Sequence, residues 1–483
     1  MDAEPYLKGK FPEGFAWCTA TSAYQVEGGW KKGGKGLSVW DTFTHSPGKI
    51  KNGDTGDIAC DSYNKWKDDV DMLINMGVTH YRFSISWPRI LPSGKKGHLN
   101  QAGVEYYNNL IDALIEASII PVATLYHWDH PQALEDLGGW LNKDMADYFN
   151  DYARICFREF GDRVKWWITI NEPGILIRFG YIYGTFPPGF KSNPGTHPYT
   201  VGKVMLMAHA KAWHTYDDEF RRRQKGSISM CLHSMWAEPE DPRSVLDQEA
   251  ARRHLEFDLG WFAHPIYGGG GYPKEMERQI ERKSKEQGLK KSRLPRLTEE
   301  EVLYIKGTSD FFALNHYTTR LVKHKSTPSN QPHFELDKDE ETSVDEDWLS
   351  PNEAGSWIKE VPTGLRRLLC YIKREYGNPE VFITENGTAD PGNVLDDTGR
   401  IRYIRSYLDQ VLKAIKWDGC KVIGYTAWSL MDNFEWSEGY TEHFGLHSVD
   451  FDDPERKRTA KASALFYAGI IRKNGFPEID FDL

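Results

Sequence analysis

Cysteine is scarce in this 483-residue chain: Cys18, Cys60, Cys156, Cys231, Cys370 and Cys420 are the whole complement of six, and none sits in a CxxC pair. Their scatter argues against a disulfide framework and for free, mostly buried thiols. Long apolar runs are missing as well. None approaches the roughly 18 residues of a membrane span, and Met1 to Pro12 is too polar for a signal peptide. Basic runs are short, such as Lys31 to Lys35, and the net charge is −10. Neither nucleic acid nor an anionic membrane is therefore an expected partner. The single N-x-[ST] sequon is Asn386-Gly387-Thr388, beside Glu385, where a glycan would block any site built on that glutamate. The expected location is cytoplasmic, with a secreted mature form lacking its signal peptide as the alternative. No low-complexity linker cuts the chain, so one domain spanning residues 1–483 is expected.

Aromatic residues, by contrast, are plentiful at 13%, with 17 Trp. Core filling accounts for most of them, and a site that stacks on flat, partly apolar ligands such as sugars accounts for the excess. The acidic stretch Glu335 to Asp347 (ELDKDEETSVDED) reads as a solvated surface loop, and Lys323–Ser356 as a whole has no readable pattern.

Eight apolar, strand-like runs recur along the chain: Phe15–Ser22, His80–Trp87, Ile119–His127, Val164–Glu172, Gly226–His233, Asp310–Tyr317, Val381–Gly387 and Val422–Leu430. They are too apolar to alternate, as expected of parallel strands buried on both faces. Helical spacing fills the gaps, in Asp61–Met76, Gln101–Ser118, Lys143–Phe160, Tyr199–Arg223, Thr363–Tyr376 and Arg400–Trp417. Strand then helix, repeated around the chain, predicts an α/β fold, a single (β/α)₈ TIM barrel. A doubly wound sheet is the alternative, but no Gly-rich phosphate fingerprint follows an early strand.

A barrel places its active site at the C-terminal ends of the strands. Those ends read Tyr24-Gln25, Arg82 to Trp87, His127-Trp128, Asn171-Glu172, His233, Asn315-His316-Tyr317, Glu385-Asn386 and Trp428, nearly all polar or aromatic. TINEP and VFITENG each put a glutamate at the end of an apolar strand, and in the second an Asn-Gly pair breaks the strand. Two carboxylates facing one pocket suit glycosidic bond cleavage, in which one protonates the leaving oxygen and the other attacks the anomeric centre. Retention calls for a separation of roughly 5–5.5 Å and inversion for roughly 6.5–9.5 Å. Glu172 follows Trp166-Trp167 and precedes Pro173. Poor solvation there, and the charge of Glu385, would raise its pKa and suit a general acid. Arg82 is placed to keep Glu385 ionised. Carboxylate chemistry of this kind needs no cofactor and no metal.

Six stretches, FAWCTATSAYQVEGG (Phe15–Gly29), TLYHWDHP (Thr124–Pro131), TINEP (Thr169–Pro173), NHY (Asn315–Tyr317), ITENG (Ile383–Gly387) and WSLMDNFEW (Trp428–Trp436), resemble in order the motifs of family 1 glycoside hydrolases. These are retaining β-glycosidases of (β/α)₈ fold, and the resemblance leans toward the animal cytosolic β-glucosidase and lactase-like members. It implies that Glu172 is the acid/base and Glu385 the nucleophile, hydrolysing β-glucosides and also β-fucosides or β-galactosides. It implies further that Gln25, His127, Asn171, Trp428 and Glu435 hold the sugar. Trp357 resembles the leaving-group platform, Trp436 and Phe444 line the pocket, and Arg82, Asn315 and Tyr317 support the nucleophile. The partner so implied is a small-molecule β-glycoside; no residue pattern assigns an oligomeric state. Two positions depart from the pattern: Cys18 stands where a small residue is usual, and Gly174 follows NEP where Trp is common.

The competing readings are weaker. A metal hydrolase would use His127, His130, His233 and His316, yet the first strand has no His-x-His pair. Klotho-type binding relatives typically lose one carboxylate, and both are present here. Plant thioglucosidases replace the acid/base by Gln, so Glu172 argues against that mechanism without forbidding thioglucoside substrates. Glu435-Trp436 stands where phospho-glycosidases bind phosphate, and a carboxylate would repel it. Transglycosylation uses the same intermediate with an alcohol in place of water.

Overall fold

The computed structural model describes residues 6–328, 330–351, 357–392 and 394–476. The first five residues, and residues 329 and 352–356 of the Lys323–Ser356 stretch, lie outside that set. The eight apolar runs become eight strands: β1 (Ala16–Ala20), β2 (His80–Ser84), β3 (Ile120–Tyr126), β4 (Trp166–Asn171), β5 (Ser227–His233), β6 (Phe312–Asn315), β7 (Val381–Asn386) and β8 (Val422–Trp428). Each pairs in parallel with its neighbours in sequence, and β8 pairs with β1 to close the barrel. The fold is the expected (β/α)₈ barrel.

Packing inside the barrel explains the composition of the strands. Ala16 and Cys18 of β1, Val122 of β3, Cys231 of β5 and Ala313 of β6 are small enough to leave room for Ile168 of β4 and Phe382 of β7. Large and small side chains together pack the interior. Cys18 belongs to this plug, and burial pushes its thiol up to about 12. The surrounding helices bury one stripe each. In Met145–Phe160 that stripe is Met145, Phe149, Tyr152, Cys156, Phe157 and Phe160, the three-and-four spacing of a helix against a sheet.

The six expected helical segments all contain helices, the longest being His197–Thr215 and Thr398–Lys416. The sequence reading omits others, including Val245–Leu255, Lys274–Glu286 and Ala462–Lys473. Lys274–Glu286 shows why. Its sequence, KEMERQIERKSKE, is charged almost throughout, and its apolar stripe shrinks to Met276 and Ile280 beside a buried Lys283.

The acidic stretch is a correction. Glu335 to Asp347 is not simply a solvated loop: Phe334–Asp337 is a short helix, and Glu340–Ser343 joins Trp236–Pro239 and Thr319–His324 in a small sheet. Its acids meet basic side chains, most of them buried. Asp337 pairs with Arg293 at 2.5 Å, Asp339 with Lys283 at 2.6 Å, Glu335 with Arg178 at 3.0 Å, and Glu340 with His254 at 2.7 Å. These partners come from distant segments, while Lys338 within the stretch pairs with Glu335 at 2.6 Å and Glu340 at 3.0 Å.

Two irregularities prepare the site. The register between β4 and β5 shifts between Ile168 and Asn171, and that between β7 and β6 shifts between Ile383 and Glu385. Such shifts re-aim side chains at the end of a strand, and these two fall where Glu172 and Glu385 emerge.

Candidate active site

Glu172 is the residue after β4, and its backbone lies in the left-handed region (φ 44°, ψ 62°) as the cap of helix Pro173–Arg178. Pro173 suits the first helical turn because it has no N–H to satisfy. Trp128 (φ 77°) and Trp436 (φ 49°) share this conformation. All three line one cavity of about 470 Å³ at the C-terminal mouth of the barrel. Strained non-glycine residues gather at sites whose surroundings hold them in place.

Glu385, at the end of β7, lines the same cavity in a different environment. Arg82 Nη1 donates to its Oε1 at 2.6 Å, and the Tyr317 hydroxyl donates to its Oε2 at 2.6 Å. Arg82 Nη2 donates to Asn171 Oδ1 at 2.6 Å, which also accepts from Asn315 Nδ2 at 3.2 Å. Asn315, expected beside Glu385, bonds instead to the other glutamate: its Nδ2 lies 2.7 Å from Glu172 Oε1. The register shift sets Glu385 opposite Asn315 in the backbone, yet their side chains part: Glu385 bonds to Arg82 and Tyr317, and Asn315 to Glu172. Glu172 is nearly enclosed. Burial and then repulsion by Glu385 hold its carboxyl well above the usual range, against the opposing pull of Asn315 and Arg82.

The remaining expected residues fall in two layers. His127, Trp428, Glu435, Trp436, Trp357 and Phe444 line the cavity directly. Gln25 and Asn171 stand behind it. Gln25 Nε2 donates to Asn433 Oδ1 and the Phe434 carbonyl, each at 2.9 Å, and reaches Glu435 Oε2 at 3.3 Å. Asn171 Nδ2 lies 3.0 Å from His127 Nε2. Burial and the Arg82 charge keep His127 neutral, well below its ordinary pKa. Burial, then Glu442 and Glu385, push Glu435 up to about 8. Rings form the walls: Trp128 and Trp436 lie 4.7 Å apart, and Tyr317 packs against Trp357 and Phe444 at 5.8 and 6.3 Å. Flat apolar walls with a few convergent polar groups are what a sugar ring requires.

Sequence reasoning missed Ile175, Phe179 and Phe186, which line the cavity from the segment after β4, and Met235, Ser437, Glu438 and Glu442. Nothing in their local pattern marks them. His233 and Trp128 do stand at strand ends, a signal that could have promoted them. Gly174 is open: a Cβ there would meet only the Asp258 carbonyl, at 4.0 Å. Of the four histidines of the metal-hydrolase alternative, only His127 and His233 line the cavity. His130 bonds to Tyr126 and Glu135, each at 2.9 Å, and His316 to the Ser234 carbonyl at 2.9 Å. The sequon asparagine is internal, since Asn386 Nδ2 donates to the His316 carbonyl at 2.7 Å and to the Tyr403 hydroxyl at 3.0 Å.

Comparison with known proteins agrees with this geometry. The sequence pattern of Glycosyl hydrolase family 1 matches residues 7–476. Human lactase/phlorizin hydrolase is 49% identical over 476 residues, 98% of this chain but 24% of its own length, so the chain spans about a quarter of that relative. Human cytosolic beta-glucosidase is 49% identical over 468 residues, covering 96% of this chain and 98% of the relative. The solved structure of aphid myrosinase superimposes with a TM-score of 0.93 at 48% identity, covering 97% of this chain and all (100%) of the other. A family match from end to end of the barrel, on a cavity holding both glutamates, leaves one conclusion: the chain belongs to glycosyl hydrolase family 1.

Proposed function

We propose that this chain is a retaining β-glycosidase acting on terminal β-D-glucosides, and on β-fucosides and β-galactosides, as a single catalytic domain. Glu172 is the acid/base and Glu385 the nucleophile. The observation that carries the reading is the opposite treatment of two carboxyls in one cavity. Glu385 is ion-paired to Arg82 and accepts a bond from Tyr317, while Glu172 is desolvated and repelled by Glu385. Environments that push two carboxyls apart assign the acid and the nucleophile.

In the first step Glu172 gives its proton to the glycosidic oxygen as Glu385 attacks the anomeric carbon. The aglycone leaves as an alcohol and the sugar is held as an ester of Glu385. That ester removes the charge of Glu385, and with it one cause of the raised Glu172 pKa, so the deprotonated Glu172 is suited to take a proton from incoming water. His127, Glu435 and the Gln25 network supply hydrogen bonds to the sugar hydroxyls. Trp428 gives an apolar face to the ring, and Trp357 at the mouth offers one to the leaving group. No cofactor enters these steps.

A cytoplasmic location is supported by six free cysteines, by the buried amide of Asn386, and by relatives named cytosolic beta-glucosidase. Among the described residues no helix is long and apolar enough to cross a membrane.

A proton NMR time course on an aryl β-glucoside tests the mechanism. β-Glucose appearing first, then mutarotating, is the expected result. α-Glucose first would mean inversion and remove Glu385 as nucleophile.

A further inference from the structure

We propose that Thr384 is a positioning residue that holds Glu172 in place through Asn315. The inference rests on the acid/base reading of Glu172 given above.

Asn315 is wholly buried, and both ends of its amide are engaged. Its Oδ1 accepts from the Thr384 hydroxyl at 2.7 Å and from the Cys231 thiol at 3.0 Å. Its Nδ2 donates to Glu172 Oε1 at 2.7 Å and to Asn171 Oδ1 at 3.2 Å. Turning the amide over would set its oxygen against two acceptors, Glu172 Oε1 and Asn171 Oδ1, so that side fixes which end faces Glu172, and the groups on the Oδ1 side anchor the amide from behind. A thiol is a weak donor and a hydroxyl a good one, which makes Thr384 the principal anchor.

Thr384 also precedes Glu385. Its carbonyl accepts from Arg82 Nη1 at 3.0 Å, the same nitrogen that donates to Glu385. One residue of β7 thus bears on both carboxyls, through its main chain on the Glu385 side and through its side chain on the Glu172 side. The two effects are separable because only the second depends on the hydroxyl. Removing the hydroxyl leaves Oδ1 with the Cys231 thiol alone, and the less firmly anchored amide bonds more weakly to Glu172. Proton donation to the leaving oxygen then suffers, while attack by Glu385 does not.

Thr384→Val keeps the shape and removes the donor. The measurement is kcat/KM, which reports the first chemical step, on phenyl and 2,4-dinitrophenyl β-glucosides. The first leaving group has a pKa of about 10 and needs a proton; the second is a far more acidic phenol and does not. The expected result is a fall of about tenfold on the phenyl glucoside, the worth of one hydrogen bond to a charged partner. On the dinitrophenyl glucoside the change should be less than about twofold, which also shows that the variant is folded. Thr384→Ser restores the wild-type ratio, and the alkaline limb of the pH profile moves upward in Thr384→Val alone. Equal losses on both substrates would place the effect on Glu385 or on folding and overturn the inference, as would no change on either. Glu172→Gln, measured alongside, separates the two ideas. If Glu172→Gln penalises the poor leaving group and Thr384→Val does not, the inference alone fails. If Glu172→Gln treats both substrates alike, the acid/base reading fails and takes the inference with it.

Discussion

Arg82 Nη1 lies 2.6 Å from Glu385 Oε1, and the two side chains are 1% and 5% exposed. Neither charge is tolerable there alone. Removing one partner of a buried pair costs about 3–5 kcal/mol because the other is left uncompensated. Arg82→Met should therefore lower unfolding free energy by about that amount, and kcat/KM by more than about a hundredfold, since Glu385 loses the guanidinium that holds it in place. Arg82→Lys restores a charge but cannot span Glu385 and Asn171 together, so it should fall between. Denaturant unfolding and kcat/KM on one aryl glucoside check both. Arg82→Met with wild-type stability would mean that neither side chain depends on the pair for its place in the folded state.

Glu172 gives the protein a pH-dependent weakness with a defined sign. Burial first and Glu385 second raise its carboxyl above the ordinary value. The folded state therefore keeps the proton to higher pH than the unfolded chain. Stability is full below the unfolded pKa, declines as pH rises toward the folded one, and then levels off. Glu172→Gln cannot ionise. It should match the wild type near pH 4 and exceed it increasingly above, by about 1.4 kcal/mol per unit of separation between the two pKa values. Wild-type activity falls later, as pH rises through the folded-state pKa, where the stability curve levels off. In Glu385→Gln the ¹³C titration of Glu172 should move down, though not to the ordinary value, because burial remains. Urea titrations from pH 4 to 9 that show parallel curves for wild type and Glu172→Gln would contradict this account.

Glu435 titrates at about 8, raised by burial and then by Glu442 and Glu385. Sugar hydroxyls donate more strongly to a carboxylate than to a carboxylic acid. By linkage, glucose should bind more tightly as pH rises through about 8, provided Glu172 is held constant as Gln. Glu442→Gln removes one of the repelling charges, so the inflection should shift below 8. Calorimetric titration of glucose into the two variants reads both effects, and an inflection that stays put would show that Glu442 does not act on Glu435.

Much of this was legible in the sequence because it is set by short-range pattern. The eight strands are short, mainly apolar runs, and the residues at their ends are those a barrel delivers to its mouth. What stayed hidden depends on contacts between distant segments. The partner of Asn315 is Glu172, delivered from the end of β4. The buried acids Asp337 and Asp339 are balanced by Arg293 and Lys283, far away in the chain. Phe179, in the helical turn that continues Pro173–Arg178, and Phe186, in the loop after it, face the cavity because of the path of the chain there, and no periodicity encodes a path.

Gly387 shows a right pattern read for an incomplete reason. An Asn-Gly pair reads as a turn that breaks the strand, and β7 does end at Asn386. Yet Gly387 is not among the glycines with positive φ. A Cβ at this position would sit 2.1 Å from the Trp428 carbonyl oxygen and 3.1 Å from its carbon, so glycine is needed for close approach of β7 to the end of β8. Backbone cannot yield as a flexible side chain can. Gly387→Ala must push Trp428 from its place under the sugar cavity or pull Glu385 back from Arg82. Overpacking of this kind costs about 1–3 kcal/mol, and the displaced geometry should reduce kcat/KM by more than about tenfold. Differential scanning calorimetry and glucose affinity measured together decide where the strain goes. Weaker glucose binding with kcat retained puts it on Trp428, and lost kcat with glucose binding retained puts it on Glu385. Full activity with unchanged melting would mean the two strands do not approach as closely as 2.1 Å requires.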